Sequence, residues 1–236
     1  SQGDEPPTGL YVHVPFCDGK CAYCAFYSVL YDEGLARRWL AAIKREHALF
    51  VAQEGLPPYR TVYFGGGTPS LLSVAILKDL LSWVREQTAG GGLEEWSVEV
   101  NPGSALAEKF QLMHTKGVTR LSLGVQALND KRLRWLGRRH TVAEAEAAYE
   151  TARGVGFRNI GVDLIAGGAF GGKPVWRETL ERVVTWGPEH VSVYALTVEE
   201  ESVMARCQRG KLTRRGSDAA IVARLHDAQE ILESSG

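Results

Sequence analysis

Residues 11–28 read YVHVPFCDGKCAYCAFYS and concentrate the reactive side chains of this 236-residue chain. Three of its four cysteines lie in this stretch: Cys17, Cys21 and Cys24. The run over residues 10–14 is apolar and prone to form a strand, and Pro15 cannot donate a hydrogen bond to a sheet. We therefore predict a strand that ends at Pro15, followed by a loop that carries all three thiols.

The spacing of these thiols, Cys-x-x-x-Cys-x-x-Cys, indicates a metal centre. Cysteine thiolates bind iron–sulfur clusters, and one loop can place three of them around a cuboidal 4Fe–4S cluster. Such a cluster takes four ligands, so one iron would stay open for a ligand from outside the protein. A structural zinc site and three reduced core thiols are the alternatives, although zinc prefers four protein ligands and the isolated Cys207 is a poor fourth.

The composition is that of an ordinary globular protein, with 44% hydrophobic residues, 23% charged residues and a net charge of −1. No strong field of either sign favours nucleic acid or an acidic membrane. No apolar run is long enough to span a bilayer, and the start, SQGDEPPTG, is polar and unlike a signal peptide. Clustered cysteines without an even disulfide pattern fit a reducing compartment, so we expect a cytoplasmic protein.

Strand-like and helix-like patterns alternate along the whole chain. We predict six strands, at residues 10–14, 61–64, 96–100, 120–125, 157–165 and 190–196. Helices are predicted at residues 33–54, 71–87, 104–116, 130–136, 142–152, 174–185 and 218–234. Ser70 and Thr141 are placed to cap two of these helices, and Gly117 to end a third. Such alternation implies parallel strands joined by right-handed crossovers.

The predicted strands end in unusual sequence: the cysteine loop, Gly65-Gly66-Gly67-Thr68-Pro69, Glu99, Gln126 and Asp163. In an open doubly wound sheet these ends would spread along one edge, whereas in a barrel they converge on one mouth, where active sites lie. We therefore expect an α/β fold, a partial (β/α)6 barrel of parallel strands, over residues 10–236, behind a tail of residues 1–9.

The GGGTP segment follows a predicted strand and precedes a predicted helix. It lacks the Lys and Ser/Thr of a P-loop and the spacing of a dinucleotide fingerprint. It is either a tight turn or a place where the backbone approaches a small ligand, because glycine has no Cβ to block that approach.

Four polar residues outside the cysteine loop are candidates for the site. Asp163 lies within the apolar run IGVDLI, where a carboxylate is costly to bury without hydrogen bonds or a cation. Gln126 ends an apolar strand and should need a partner. Glu99 and Arg138 could equally be solvated, since carboxylates near strand ends and cations after short helices often are.

The triplet of cysteines with an aromatic residue, Tyr23, before the third resembles the signature of the radical S-adenosylmethionine (SAM) enzymes. With GGGTPS, EVNPG, SLGVQALND, LGRRHT and DLI, the chain resembles the oxygen-independent coproporphyrinogen III oxidase-like group from about residue 10 to its end. The resemblance implies a radical SAM barrel with a 4Fe–4S cluster on Cys17, Cys21 and Cys24. SAM would bind the open iron and be cleaved by an electron to a 5′-deoxyadenosyl radical.

The resemblance also implies which residues contact the cofactor: Tyr11, Tyr23, Phe26, Gly66, Gly67, Thr68, Glu99, Gln126, Arg138 and Asp163. In the oxidase, the positions of Gln126, Arg138 and Asp163 correspond to contacts of a second SAM molecule. An electron donor such as flavodoxin is implied as a partner.

The branch of this group is indicated by Phe26, which stands where the true oxidase has a further cysteine. The Cys-x-Phe pattern resembles the haem chaperone branch, whose members carry haem to haem proteins. The alternatives are the oxidase itself, or a methyltransferase of peptide or polyketide natural products that uses a second SAM. Residues 166–172 depart from the sequence pattern of the group, and this difference weakens any inference of the substrate from the relatives. Relatives continue into a C-terminal domain that covers the barrel, and we expect it to be absent from this chain.

Overall fold

The computed structural model describes residues 8–55, 59–90, 92–168, 172–200, 202–209 and 216–235. One sheet contains six strands: β1 (Thr8–Val14), β4 (Tyr59–Gly66), β5 (Glu95–Val100), β6 (Arg120–Gln126), β7 (Ile160–Ala166) and β8 (His190–Ala195). Their order in space is their order in the chain, and every neighbouring pair is parallel. The predicted α/β barrel fold is confirmed, with the described sheet open between β1 and β8.

Two further strands, β2 (Phe16–Cys17) and β3 (Val29–Leu30), form a separate parallel pair at the base of the cysteine loop. β1 ends at Val14, as Pro15 predicts, and it begins two residues earlier than expected, so that Thr8 and Gly9 belong to the sheet. Residues 1–7 lie outside the described part of the chain.

Helices connect the strands and cover the sheet. They are α1 (Glu33–Glu54), α2 (Val74–Gln87), α3 (Ala107–Lys116), α4 (Asp130–Trp135), α5 (Val142–Val155), α6 (Gly172–Trp186), α7 (Val203–Arg209) and α8 (Asp218–Ser234). The predicted cap Thr141 is confirmed as part of a capping box with Glu144, and Gly117 ends α3 in the left-handed conformation. Among the described helices, none is both long and apolar enough to cross a membrane.

The prediction that Ser70 caps the helix after GGGTP is wrong. That cap is Ser73, whose hydroxyl accepts a hydrogen bond from the backbone N–H of Ile76. Ser70 lies in a 3₁₀ turn, where its hydroxyl contacts the hydroxyl of Ser104 and accepts from the backbone N–H of Asn101. The side chain that was expected to cap a helix therefore joins two strand-end turns.

Helix α3 begins three residues later than predicted. Pro102–Ser104 forms a 3₁₀ turn, which the Asn101 side chain closes by accepting from the backbone N–H of Gly103. Strand β7 likewise begins after Phe157, because the backbone N–H of Phe157 donates to Ala152 and completes the end of α5. Helix α7 was not predicted, and residues 169–171 of the glycine-rich segment lie outside the described residues.

The hydrophobic core fills the space between the sheet and its helices. Strand residues that are fully buried include Val14, Phe64, Trp96, Val98, Leu121, Leu123, Val162 and Leu164. Helix α2 buries Leu77, Leu80 and Leu81 against them. Each such side chain contributes roughly 1.5–3 kcal/mol on burial. The core therefore fixes the carboxyl ends of the strands, where the polar residues lie, on a rigid support.

Candidate functional site

The cysteine loop is closed at its base by backbone hydrogen bonds. The N–H of Val29 donates to the carbonyl of Pro15 (2.7 Å), and the N–H of Tyr31 donates to the carbonyl of Cys17 (2.9 Å). Phe16, fully buried, packs edge-on against the rings of Tyr31 and Trp39. The loop therefore leaves and rejoins the body of the protein at nearly the same point.

The middle of the loop is held by two helical segments. The N–H of Ala22 donates to the carbonyl of Leu136 (2.9 Å) after α4, and the N–H of Met204 in α7 donates to the carbonyl of Ala22 (2.7 Å). Gly137 approaches so closely that a Cβ there would lie 2.6 Å from the Ala22 nitrogen. Because Ala22 follows Cys21 directly, these contacts fix the position of the second thiol.

The GGGTP turn lies against the start of the same loop. The N–H groups of Gly67 and Thr68 each donate over 2.8 Å, to the carbonyls of Val14 and Phe16 respectively. A Cβ on Gly67 would lie 2.6 Å from the Phe16 oxygen. The thiol of Cys17 is 3.7 Å from the hydroxyl of Thr68. The glycine is thus needed for contact between two protein segments, a reason that the sequence did not reveal.

The second glycine of the turn, Gly66, is also enclosed by protein. A Cβ on Gly66, whose φ is +109°, would lie 2.5 Å from the ring of His13.

Tyr11, which was predicted to contact the cofactor, is mostly exposed. Its hydroxyl lies 3.2 Å from Nδ1 of His13, and its ring stacks on Tyr63.

The three thiols of the loop are all partly exposed. Arg138 donates to the sulfur of Cys21 over 3.7 Å. Burial raises the pKa of the Cys24 thiol. In the part of the chain that the structure covers, no three Cys, His, Asp or Glu side chains gather as they would around a single metal ion. A 4Fe–4S cluster does not require such convergence, because each thiolate binds a different iron atom.

A cavity of about 620 Å³ opens beside the loop at the carboxyl ends of the strands. Its volume lies within the roughly 300–1,000 Å³ typical of ligand pockets. The predicted residues that line it are Tyr23, Cys24, Phe26, Gly67, Thr68, Glu99, Gln126, Arg138 and Asp163. The predicted residues thus come from six separate segments of the chain that meet at one cavity. Tyr11, Cys17, Cys21 and Gly66 are not among its described lining residues.

Glu99, on β5, is held by two donors. The hydroxyl of Tyr63 donates to its Oε1 (2.8 Å), and the N–H of Gly66 donates to its Oε2 (3.2 Å). Burial, reinforced by the charge of Asp163, raises the pKa of Glu99 despite these hydrogen bonds. The carboxylate is therefore fixed in place but would gain from a cation in the cavity.

Among the described residues, the hydrogen-bond partners of Asp163, on β7, are hydroxyl groups. Ser122 donates to its two oxygens over 3.1 and 2.9 Å, and Ser192 contributes another hydrogen bond. Burial raises the pKa of Asp163 against these bonds and against the more distant charges of His190 and Arg120. The sequence-based expectation that this carboxylate needs hydrogen bonds is confirmed.

Gln126 ends β6 in a left-handed conformation, with φ of +67°, where the pairing with β7 is irregular. A residue other than glycine rarely adopts this conformation, and such strain clusters at functional sites. The amide nitrogen of Gln126 lies 2.9 Å from where a Cβ on Gly124 would be. The turn therefore aims the Gln126 side chain along the cavity wall.

The lining also contains polar residues that the sequence analysis missed: Asn101, Ser122, Tyr194, Thr197 and Glu199. From the sequence, Asn101 was predicted only to end a strand in a turn, and Ser122 only to lie within a strand. Tyr194, Thr197 and Glu199 lie at or after the end of β8, so the rule that strand ends carry the site could have identified them.

Comparison with known proteins identifies the family to which the chain belongs. Residues 11–169 match the radical SAM superfamily. The haem chaperone HemW of Mycobacterium tuberculosis is 38% identical over 216 residues, which cover 90% of this chain and 55% of that protein. HemW of Bacillus subtilis is 35% identical over 204 residues, 86% of this chain and 54% of that protein.

Among solved structures, coproporphyrinogen III oxidase (HemN) from Escherichia coli matches with a TM-score of 0.83 and 25% identity, over 98% of this chain and 54% of that one. The chain therefore belongs to the radical SAM superfamily, and within it to the HemN-like proteins that include the haem chaperones. It spans about half of the length of the curated relatives it matches.

Proposed function

We propose that Cys17, Cys21 and Cys24 hold a 4Fe–4S cluster and that SAM occupies the adjacent cavity, with its amino and carboxylate groups on the open iron. The observation that carries this proposal is a loop of three thiols, pinned by backbone bonds, at the mouth of a cavity of about 620 Å³. The donor set fits the cluster, since thiolates are its usual ligands and three of them leave one iron open.

The chain's own residues bind and orient the cofactor. Gly67 and Thr68 would face the methionine portion and Glu99 the ribose, with Gly66 holding the Glu99 carboxylate through its N–H. Asp163 and Gln126 would line the far side toward a second SAM or a substrate, and Arg138 would lie between them and the cysteine loop. When bound, the reduced cluster supplies the electron that cleaves SAM to a 5′-deoxyadenosyl radical.

For the whole protein we propose a haem chaperone in which SAM chemistry accompanies haem delivery. The support is the identity of 38% and 35% to proteins described as haem chaperones, together with Phe26 in place of the oxidase's further cysteine. Phe26 is exposed on the cysteine loop at the cavity.

A second candidate is an enzyme whose radical abstracts hydrogen from a porphyrinogen or a natural product, or which transfers a methyl group from a second SAM. The observation that favours it is the far side of the cavity, where Gln126, Asp163 and Tyr194 add polar groups beyond those expected to hold one SAM. A shift of the haem Soret band on binding separates this candidate from the chaperone.

The proposed cluster is tested by the variant Cys21→Ser, with Cys207→Ser as the matched control because Cys207 lies in α7 outside the loop. After anaerobic reconstitution, Cys21→Ser should lose both the broad cluster absorbance and the release of 5′-deoxyadenosine, by at least about a hundredfold. Cys207→Ser should keep both. Retained SAM cleavage in Cys21→Ser would contradict the assignment.

A further inference from the structure

The guanidinium of Arg138 is fixed within the site by four kinds of group. Its Nη2 donates to the carbonyl of Gly124 (2.7 Å) and to the side-chain oxygen of Asn101 (3.2 Å). Its Nη1 donates to the sulfur of Cys21 over 3.7 Å, and the group also hydrogen-bonds Tyr23. Both ends of the guanidinium are therefore committed to protein atoms, and one of these atoms is a thiol of the cluster loop.

None of the partners that the described residues offer to Arg138 is a carboxylate. The neighbouring His140 adds no second positive charge, because burial and the charge of Arg138 lower its pKa to about 4 and keep the ring neutral. The Nε of Arg138 is buried without a hydrogen-bond partner in the described part of the chain. The Arg138 side chain is partly buried, and a cation so far removed from water is more stable with a negative charge nearby.

The group that can supply this charge is Cys21. Its sulfur accepts the hydrogen bond from Nη1 of Arg138, and a cysteine that binds a metal cluster does so as a thiolate. A thiolate at Cys21 would convert a weak contact into a charge-assisted hydrogen bond. The backbone contacts of Ala22 and Gly137 hold the two residues together before any ligand is present.

We propose that Arg138 is a positioning residue that holds the Cys21 thiolate and raises the reduction potential of the cluster bound there. This inference rests on the proposed function, and it adds to the cofactor contact that sequence resemblance implies for Arg138. Reduction adds one negative charge to a cluster, so a fixed cation beside one of its sulfurs stabilises the reduced form more than the oxidised form. Hydrogen bonds to the sulfurs and local charge are known to set such potentials.

The test is a redox titration of the reconstituted protein, monitored by electron paramagnetic resonance without SAM, so that substrate binding plays no part. We compare the wild type with Arg138→Gln, Arg138→Lys and the control Arg134→Gln, an exposed arginine of α4. In Arg138→Gln the equilibrium constant for one-electron reduction should fall by at least about tenfold, a shift of about 59 mV to more negative potential. Arg138→Lys, which keeps the charge, should shift less, and Arg134→Gln should match the wild type.

Asn101→Asp provides a second, conservative variant if Arg138→Gln fails to bind iron. Its carboxylate would keep the acceptor for Arg138 and for Gly103 while neutralising the cation, so the potential should again become more negative. If Arg138→Gln and Asn101→Asp both bind the cluster with the wild-type reduction potential, the inference is wrong. It is also wrong if Arg134→Gln and Arg138→Gln shift the potential equally. A wild type that binds no cluster would instead overturn the proposed function, so the two failures are distinguishable.

Discussion

At the scale of single residues, two partly buried carboxylates, Glu99 and Asp163, face one cavity, and no cation among the described residues is bonded to either. Each has its pKa raised chiefly by burial, and the charge of Asp163 raises the pKa of Glu99 further. A cation in the cavity would lower the electrostatic cost of both. SAM carries a net positive charge at neutral pH, so the chemistry of the cavity agrees with the cofactor proposed for it.

A pH dependence of SAM affinity follows from Glu99. Its ionised form attracts the cofactor, and that form predominates only above its pKa. Because burial raises this pKa, affinity should fall with decreasing pH earlier than an ordinary glutamate would allow. Glu99→Gln should bind SAM roughly ten- to a hundredfold more weakly at pH 7.5, the equivalent of about 1.5–3 kcal/mol, and should show a smaller acidic decline, since only Asp163 then remains to be protonated. Isothermal titration calorimetry between pH 5.5 and 8 measures both effects.

The control for this experiment is Glu95→Gln, because Glu95 lies at the opposite end of the same strand, β5. Its affinity and pH profile should be those of the wild type. The interpretation fails if Glu99→Gln shows the same acidic decline as the wild type, or if both variants weaken SAM binding equally.

The sequence predicted which polar residues reach the cavity better than it predicted their roles. Asp163 could be found because a carboxylate in an apolar strand is costly to bury, whereas Glu99 could be assigned to the site only through the family resemblance. The contact between Arg138 and Cys21 could not, since the two are 117 positions apart and meet only through the turn at Gly137. The left-handed conformation of Gln126 was equally hidden, because it depends on strand pairing.

At the scale of elements, the site is built where two turns cross. The GGGTP turn after β4 and the start of the cysteine loop after β1 share two backbone hydrogen bonds, from Gly67 and Thr68. Thr68 also lies 3.7 Å from the Cys17 thiol. A change in one turn should therefore move the metal ligands carried by the other.

The variant Gly67→Ala tests this coupling. Its Cβ would lie 2.6 Å from the Phe16 oxygen and 2.9 Å from the Val14 oxygen, both backbone atoms that cannot rotate away. We expect the free energy of unfolding to fall by about 1–3 kcal/mol and the iron content after reconstitution to fall as well. Denaturant unfolding and iron analysis are the measurements.

Gly154→Ala is the matched control, because Gly154 lies in α5 and an added methyl group there would meet no atom within 4 Å beyond the backbone of its own helix. The substitution should stabilise the protein by roughly 0.5–1 kcal/mol through helix propensity and leave iron binding unchanged. Full iron loading in Gly67→Ala would show that the two turns are not coupled.

Most elements could be predicted because strand and helix periodicities follow from which faces are buried. The wrong predictions concern the ends of helices and strands, where a side chain can hydrogen-bond either to its own element or to a distant one. Ser70 could have capped α2, but the strand-end turn at Asn101 takes its hydroxyl. Helix α7 is short, seven residues, and is fixed by tertiary contact with the cysteine loop rather than by a strong pattern of its own.

At the scale of the whole molecule, a net charge of −1 conceals an uneven distribution. The described lining of the cavity contains three carboxylates, Glu99, Asp163 and Glu199, and one cation, Arg138, whose Nη atoms are already bonded. Ligands rich in carboxylates, such as porphyrinogens and haem with its propionates, would meet a negative field there. A cationic cofactor is favoured at the same place.

If the protein is a haem chaperone, haem should therefore bind outside this cavity and should not compete with SAM. Titration of haem into reconstituted protein should give a stoichiometric shift of the Soret band, with a dissociation constant that changes less than about twofold when SAM is saturating. Competition between haem and SAM would show that haem binds in the cavity despite the carboxylates of its lining, and the prediction would be wrong. Absence of a Soret shift, with 5′-deoxyadenosine released only when an organic substrate is present, would instead favour the enzyme. Haem and SAM carry opposite net charge, and the carboxylates of the cavity attract SAM and repel haem. Separate binding is therefore expected wherever on the protein haem binds.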